Sequence, residues 1–398
     1  MFKIGSIKID TNIKEDDFFD LYKKISDLEN LHTFINEQPV YPEWREEIQK
    51  MEFLRAVQGT IALEGSELEL EDIERIASQK DVSLSDKDKE AENALEAYEF
   101  IQDWSELNKG QIITEEVIKQ IHTIMTRNIN YYLNEPGKYR NQVVEFGYPK
   151  QKSSLKNTFE VQEAMSRVVD FINSPPSKGL KYSSFPVTKA ILTHHFMTYI
   201  HPFIDGNGRV SRAVEALMFH HYGGYEPYLF PISARFYYKA RKTYFELLRK
   251  IDTTGDPYTF ISFALDGIYK NLTEIKNNIL DQVTRTLIFD YAHQLRRNKK
   301  LLKRQTSLLG SMFYLKPMEL QEFWRHPAIQ AIYYKLSEST KKRDISNLVR
   351  YNLVQYIDSA SPEEKVKKIT VNWDALRLVA LRLDNIPHRP STLSTEQR

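Results

Sequence analysis

His201-Pro202-Phe203-Ile204-Asp205-Gly206-Asn207-Gly208-Arg209-Val210-Ser211-Arg212 is the stretch on which the reading of this chain turns. It follows an apolar run, Val187 to Ile200, opened by Pro186, so a helix should deliver His201. Gly206 and Gly208 let backbone N–H groups approach an anion with no Cβ in the way. A second helix should start there, its dipole aiming positive charge at the same place. Arg209 and Arg212, three apart, share one face of that helix and add two guanidinium groups. A phosphate chain fits such a cradle. Asp205 adds a carboxylate beside it, suited to Mg²⁺ carried in with a nucleotide. His201 stands at the other end of the loop, where an imidazole can take a proton from an attacking hydroxyl. Pro202 fixes the backbone after it, and Phe203 anchors the loop in the core.

The segment resembles the motif of the Fic family, His-Pro-Phe-x-(Asp/Glu)-Gly-Asn-Gly-Arg-x-x-Arg, and meets it at every defined position. The resemblance implies a mainly α fold, a Fic/Fido helical core with a small β-hairpin flap. It implies transfer of AMP from ATP to a Ser, Thr or Tyr hydroxyl of a protein target, the chain itself included. By that resemblance His201 is the general base and Asp205 holds Mg²⁺. Gly206, Asn207, Gly208 and Arg209 bind the α- and β-phosphates. Gly137-Lys138-Tyr139-Arg140, followed by Val143-Val144-Glu145-Phe146-Gly147, resembles the family's flap, which pairs with an extended target segment by strand addition. Tyr244-Phe245 resembles the aromatic pair bordering the nucleotide's adenosine end.

Thr60-Ile61-Ala62-Leu63-Glu64-Gly65 fits the family's inhibitory motif, (Ser/Thr)-x-x-x-Glu-(Gly/Asn). In that arrangement Glu64 pairs with Arg212 and the γ-phosphate of ATP is kept from docking. One position departs from the pattern: Met197-Thr198 stands where many relatives carry Phe-Glu, which implies altered packing and unaltered chemistry. Three rival functions stay open. One is a hydrolase that removes AMP at the same site with Glu64 acting on water; another is a transferase that uses a different nucleotide or a phosphoryl donor; the third is a DNA-binding regulator whose core only senses nucleotide. Retention of Gly208 argues against variants that transfer phosphate.

Composition narrows the field further. The 398 residues, 41% hydrophobic, suffice for two or three domains. Absence of cysteine excludes disulfides, thiolate nucleophiles and Cys-ligated zinc. With 55 basic and 54 acidic residues, the net charge of +1 gives no general attraction to nucleic acid or anionic membrane. No signal peptide or membrane span is expected, which suggests a cytoplasmic protein.

The expected domains are an N-terminal helical region carrying the inhibitory motif (1–108), a catalytic core (109–275), and a helical linker with a winged-helix-like domain (276–390). Helices are expected over Glu43–Leu63, Leu70–Ile76, Lys87–Leu107, Thr114–Ile124, Tyr237–Ile251, Pro257–Ile279 and Leu280–Leu302. A hairpin within residues 134–149 is the only sheet expected in the first two thirds. His194 and His195 read as core or supporting residues, and His220-His221 as a helix end. Arg296-Arg297-Asn298-Lys299-Lys300 reads as a solvated helix end, with a phosphate-contacting patch as the alternative. Ser337 to Arg350 reads as a turn and a basic helix, followed by a β-prone piece near Ile369. In such a module Lys341, Lys342, Arg343 and Arg350 could face DNA, though many modules of this kind bind proteins or dimerise. A homodimer partner fits the resemblance too.

Overall fold

The structure is a computed structural model and describes residues 1–38, 40–78, 85–147, 151–223, 232–358 and 367–374. The chain divides into two units, Met1–Lys276 and Asn277–Arg398.

The first unit opens with a hairpin, β1 (Phe2–Ile4) antiparallel to β2 (Ile7–Ile9), turning at Gly5 with φ +52°. It corrects the expectation of a single early sheet. The signal was present: Ile4, Ile7 and Ile9 are buried while Lys3 and Lys8 face out. Helices α1 (Glu15–Glu37), α2 (Pro42–Leu63), α3 (Leu70–Ser78), α4 (Asp86–Leu107) and α5 (Glu115–Thr126) follow. Pro42 occupies the first turn of α2, and Ser85 with Asp88 forms a capping box on α4. Helix α1 was not foreseen, although Leu21, Ile25, Leu28, His32 and Ile35 mark its buried stripe.

A two-stranded hairpin, β3 (Glu145–Phe146) with β4 (Gln151–Lys152), precedes α6 (Thr158–Asn173), itself capped by Asn157. The strands therefore lie beyond the Asn134–Gly137 turn. Helices α7 (Pro186–Ile200) and α8 (Asn207–His221) form the central pair. Nearly every residue of both is buried, because α2, α4, α5, α6 and α9 (Ile232–Lys239) surround them. A helix enclosed on all sides loses its amphipathic stripe, which is why α7 reads as a plain apolar run.

Two expected helix boundaries are corrected. Tyr237–Ile251 is two helices, α9 and α10 (Arg241–Thr254), because Ala240 leaves helical angles at φ −115°, ψ 33°. The pair expected over 257–302 is one helix, α11 (Tyr258–Arg297), since no Pro or Gly interrupts it near Ile279.

Close approach of α2 and α9 depends on Gly59. A Cβ there would lie 2.8 Å from the Ala234 carbonyl oxygen and 2.9 Å from Arg235 Cα, both backbone. Gly59→Ala should therefore destabilise the protein by about 1–3 kcal/mol, despite alanine's better helix propensity. Chemical denaturation measures it; an unchanged midpoint would mean that α9 shifts without cost.

The second unit contains α12 (Lys303–Met312), β5 (Met318–Glu319), α13 (Leu320–Arg325), α14 (Pro327–Tyr333), α15 (Glu338–Arg350), β6 (Val354–Asp358) and β7 (Lys367–Val371). The strands form one antiparallel sheet in the order β5-β7-β6. Its core includes Leu308, Leu309, Phe323, Ile329, Leu348 and Ile369. Among the described residues no helix is long and apolar enough to cross a membrane.

Candidate active site

The loop joining α7 to α8 is built from its own side chains. His201 caps α7 in the left-handed region, φ 51° and ψ 62°, a conformation that a non-glycine residue holds only when its surroundings enforce it. Arg140, 1% exposed, supplies that enforcement. Its Nε donates to the His201 carbonyl (2.6 Å) and its Nη2 to the Ile200 carbonyl (3.1 Å). Its backbone N–H donates to the Pro202 carbonyl at 2.9 Å. Asn207 closes the loop from the other side, accepting from Phe203 N (2.8 Å) and donating to Phe203 O (3.0 Å). The side-chain amide of Asn207 is thus engaged within the loop.

His122 was missed in the sequence. Its ring stacks on Phe203 at 3.7 Å, its Nε2 bonds the Asp205 carbonyl (3.1 Å), and its Nδ1 accepts from Gly137 N (2.8 Å). It ties the loop to the turn before the flap. An imidazole on the buried face of α5, among Ile118, Ile121 and Met125, was the available signal. Burial pushes its pKa from 6.5 down to about 4. A folded pKa below the unfolded one stabilises fully above about pH 6.5, and that stability is lost as pH falls toward 4. Between pH 7 and 5 the parent should lose on the order of 2 kcal/mol more than His122→Gln, read from denaturation midpoints at each pH. Equal losses would sink the assignment.

Several groups converge on one cavity of about 140 Å³, lined by Glu64, Phe146, Gly147, His195, Thr198, Tyr199, His201, Gly208, Arg212, Tyr244, Phe245, Leu248, Arg249 and Asp252. Glu64 follows the last turn of α2, which Gly65 closes with φ +103°. Its Oε1 lies 2.6 Å from Arg212 Nη2. Arg212 is 1% exposed and also donates to Thr60 through Nε (2.8 Å, Oγ1) and Nη2 (3.0 Å, carbonyl). A Cβ on Gly208 would collide with Glu64 Oε1 and lie 3.0 Å from Arg212 Nη1. The Glu64 carboxylate therefore rests on the first turn of α8, where backbone N–H groups and the dipole favour an anion. Burial opposes its ionisation, but Arg212, then Arg209 and His201, outweigh this and hold the carboxyl below the usual range.

His201 lies under the flap, its ring stacked on Phe146 at 4.6 Å and 12°. Burial, with Arg140 nearby, lowers its pKa to about 4, so the imidazole is neutral at pH 7. Nδ1 lies 3.4 Å from the Thr198 carbonyl, which favours the tautomer with the proton on Nδ1 and leaves Nε2 as the basic nitrogen. In the flap, Val144 O accepts from Ser153 N at 2.8 Å, and Glu145 pairs with Lys152. The position that departs from the family pattern, Thr198, has its hydroxyl on the His194 carbonyl (2.9 Å) and Ser211 Oγ (3.2 Å).

Asp205 and Arg209 stand together but are not among the cavity residues. Asp205 Oδ1 accepts from Gly206 N (2.6 Å) and lies 3.1 Å from Arg209 Nη2. Burial raises the Asp205 pKa against the pull of Arg209. Arg209 also donates to Tyr131 OH at 2.8 Å, and its buried Nε has no acceptor. Such an orphaned donor beside a helix N-terminus fits an incoming anion. Among the described residues no group of three or more His, Asp or Glu could hold a metal. A Mg²⁺ here would take Asp205 as its side-chain ligand and phosphate or water oxygens for the rest.

Behind the cavity, His194 bridges Glu215 (3.0 Å) and the Tyr244 hydroxyl (2.9 Å), and Tyr237 OH donates to Glu215 (2.8 Å). This buried network fixes Tyr244, against which Phe245 packs edge-on at 4.9 Å. His194 is thus core, as its sequence context suggested. His221 bonds Ser105 (3.2 Å) and the Gln111 carbonyl (2.7 Å) at the end of α8. A wider cavity of about 690 Å³ lies along the flap's base, between Lys138 and Ile204, but includes neither His201 nor Arg212.

The sequence model of the Fic/DOC family matches residues 112–219. Over 108 residues the chain is 36% identical to Protein adenylyltransferase Fic of Drosophila willistoni, covering 27% of this chain and 19% of that protein. The counterpart in Drosophila grimshawi is 35% identical over 108 residues, 27% of this chain and 20% of its own. The chain thus aligns with about a fifth of the length of these relatives. A Fic family protein from Desulfovibrio desulfuricans G20 has a similar fold, with TM-score 0.55 at 17% identity, over 93% of this chain and 98% of that one. Fic-1 from C. elegans gives 0.53 at 19% identity, over 66% of this chain and 73% of its own. With the His201–Arg212 loop mounted between two buried helices, residues 112–219 are a Fic/DOC family domain, and the chain around them shares the fold of the Desulfovibrio protein.

Proposed function

We propose that the chain is a protein adenylyltransferase, moving AMP from Mg·ATP to a Ser, Thr or Tyr hydroxyl of a protein, and that Glu64 holds it off. One observation carries the reading: the Glu64 carboxylate lies against Gly208 and Arg212, in the anion cradle and in the same cavity as His201. A carboxylate there competes with a phosphate for the same donors. The 140 Å³ cavity is also below the ~300 Å³ of a small-molecule pocket.

With Glu64 displaced, Arg212 and the first turn of α8 hold the terminal phosphates, and Tyr244 and Phe245 border the nucleoside end. An extended target segment adds to the β3–β4 hairpin at Val144–Gly147. His201 Nε2 takes the hydroxyl proton as the oxygen attacks the α-phosphorus. The bond from that phosphorus to the bridging oxygen breaks, and pyrophosphate leaves. Bound Mg²⁺ would neutralise phosphate charge beside Asp205. ATP supply makes the cytoplasm the natural setting.

The test is a lysate incubated with Glu64→Gly protein and Mg·ATP, with mass spectrometry for AMP on hydroxyl side chains. Protein that binds Mg·ATP but modifies nothing, itself included, would end the transferase reading. Glu64 and His201 lining one cavity also suit a second reading, hydrolytic removal of AMP with Glu64 acting on water. That reading requires AMP release from pre-modified protein, lost in Glu64→Gly.

A further inference from the structure

The near-zero charge of the whole chain conceals a division. Residues 277–398 carry 21 of the 55 basic residues and 12 of the 54 acidic ones, a net of +9, against −8 for residues 1–276. Charge separated this strongly by unit marks a polyanion ligand for the basic part, and it reverses the argument drawn from the total.

Within that unit, two basic stretches distant in sequence meet. The residues after α11 turn at Lys299, φ +56°, and the Lys300 carbonyl accepts from Asn347 Nδ2 at 3.1 Å, which holds the turn against α15. Between them opens a cleft of about 380 Å³, its cations Lys299, Lys300, Arg343 and Arg350; among the described residues its lining holds no carboxylate and no aromatic ring. Acidic compensation is withdrawn from the cleft by the fold. Asp344, the acid in mid-α15, is fully buried and taken up by Arg304, by Gln305 (2.9 Å) and by the Tyr333 hydroxyl (3.0 Å). Lys341 is also committed, 2.7 Å from Glu338 and over the Trp324 ring, so α15 contributes Arg343 and Arg350 instead.

The outer face of α15 decides among polyanions. It exposes Ser339, Lys342, Arg343, Ser346 and Arg350, with Glu338 as its one exposed carboxylate, paired to Lys341, while Ile345 and Leu348 point into the core. A helix bound in a lipid surface needs exposed apolar residues, and α15 exposes none. Single strands are held by aromatic stacking, for which the described lining of the cleft offers no ring. The major groove of duplex RNA is too narrow for a helix, whereas that of B-DNA admits one. We propose that the cleft and the exposed face of α15 bind the phosphate backbone of duplex DNA.

The test is fluorescence anisotropy of the full chain on a mixed-sequence DNA duplex of about 30 bp across a KCl titration. Each wall of the cleft is altered alone, as Arg343→Ala/Arg350→Ala or Lys299→Asn/Lys300→Ala; all four side chains are exposed, and circular dichroism checks the fold. Either pair should weaken binding about tenfold or more and reduce the slope of log K against log[salt] by about 2, while Lys178→Ala, in the first unit, changes neither. No binding at about 50 mM salt, or unchanged binding in both double variants, overturns the proposal. So does loss of binding to phosphatidylserine vesicles in the variants with DNA affinity intact, which would assign the cleft to membranes.

Discussion

His201→Ala, placed in the Glu64→Gly background, is expected to cut AMP transfer about a thousand-fold while ATP affinity changes by less than about threefold. A positioned general base contributes roughly 10²–10⁴ in rate, and a thousand-fold corresponds to about 4 kcal/mol of barrier. The nucleotide should remain bound because its phosphates are assigned to Arg212 and the α8 N-terminus, and alanine removes neither. The Glu64→Gly parent should also keep its rate from pH 8 down to about 5, since burial holds the His201 pKa near 4. A base with an ordinary pKa of about 6.5 would lose rate below pH 7. Initial rates of transfer from α-labelled ATP, with ATP affinity measured separately, decide both points. If rate and affinity fell together, His201 would be a binding residue, and the hydroxyl proton would leave by another route.

What the sequence made legible follows a physical division. Pro186, Gly206, Asn207 and Gly208 act locally, through fixed φ, absent Cβ atoms or bonds within the loop, so the geometry of His201 to Arg212 could be read before any fold was known. The contact between Glu64 and Arg212 was reachable too, but only through resemblance, because nothing local links residues 148 apart. His122, and the hold of Arg140 on the His201 loop, escaped for the opposite reason. Each acts through bonds to backbone carbonyls or amides of distant segments, and such partners leave no trace in residue types. The two boundary errors have separate causes. The break at Ala240 falls on a good helix former, so propensity argues against it, and α11 continues past Ile279, where no Pro or Gly marks an end. The charge division was visible in the sequence and hidden by summing over both units.

Glu64→Gly should raise the rate of AMP transfer at least about tenfold and lower the stability of the nucleotide-free protein. The Arg212–Glu64 contact is a charge-assisted bond, worth about 1.5–3 kcal/mol when buried, or a factor of roughly 10–150 in occupancy of the blocked state. The Glu64 side chain is 39% exposed, so solvent screening favours the lower end. The same energy is lost from the folded state, because Arg212, at 1% exposure, keeps Thr60 but loses its anion. Glycine adds little backbone strain, since Glu64 lies at the end of α2 with φ −87° and ψ 0°. The two consequences make a paired signature. Without nucleotide the variant should melt below the parent. With saturating Mg·ATP it should regain stability, by about 2.7 kcal/mol at a hundred times Kd, because phosphate replaces the carboxylate at Arg212. The parent should gain less, its ATP having to displace Glu64 first. A contact that was only structural would lower stability with no rise in rate, and ATP would then stabilise parent and variant equally. Thermal melts with and without Mg·ATP, beside the transfer assay, separate an inhibitory Glu64 from a structural one.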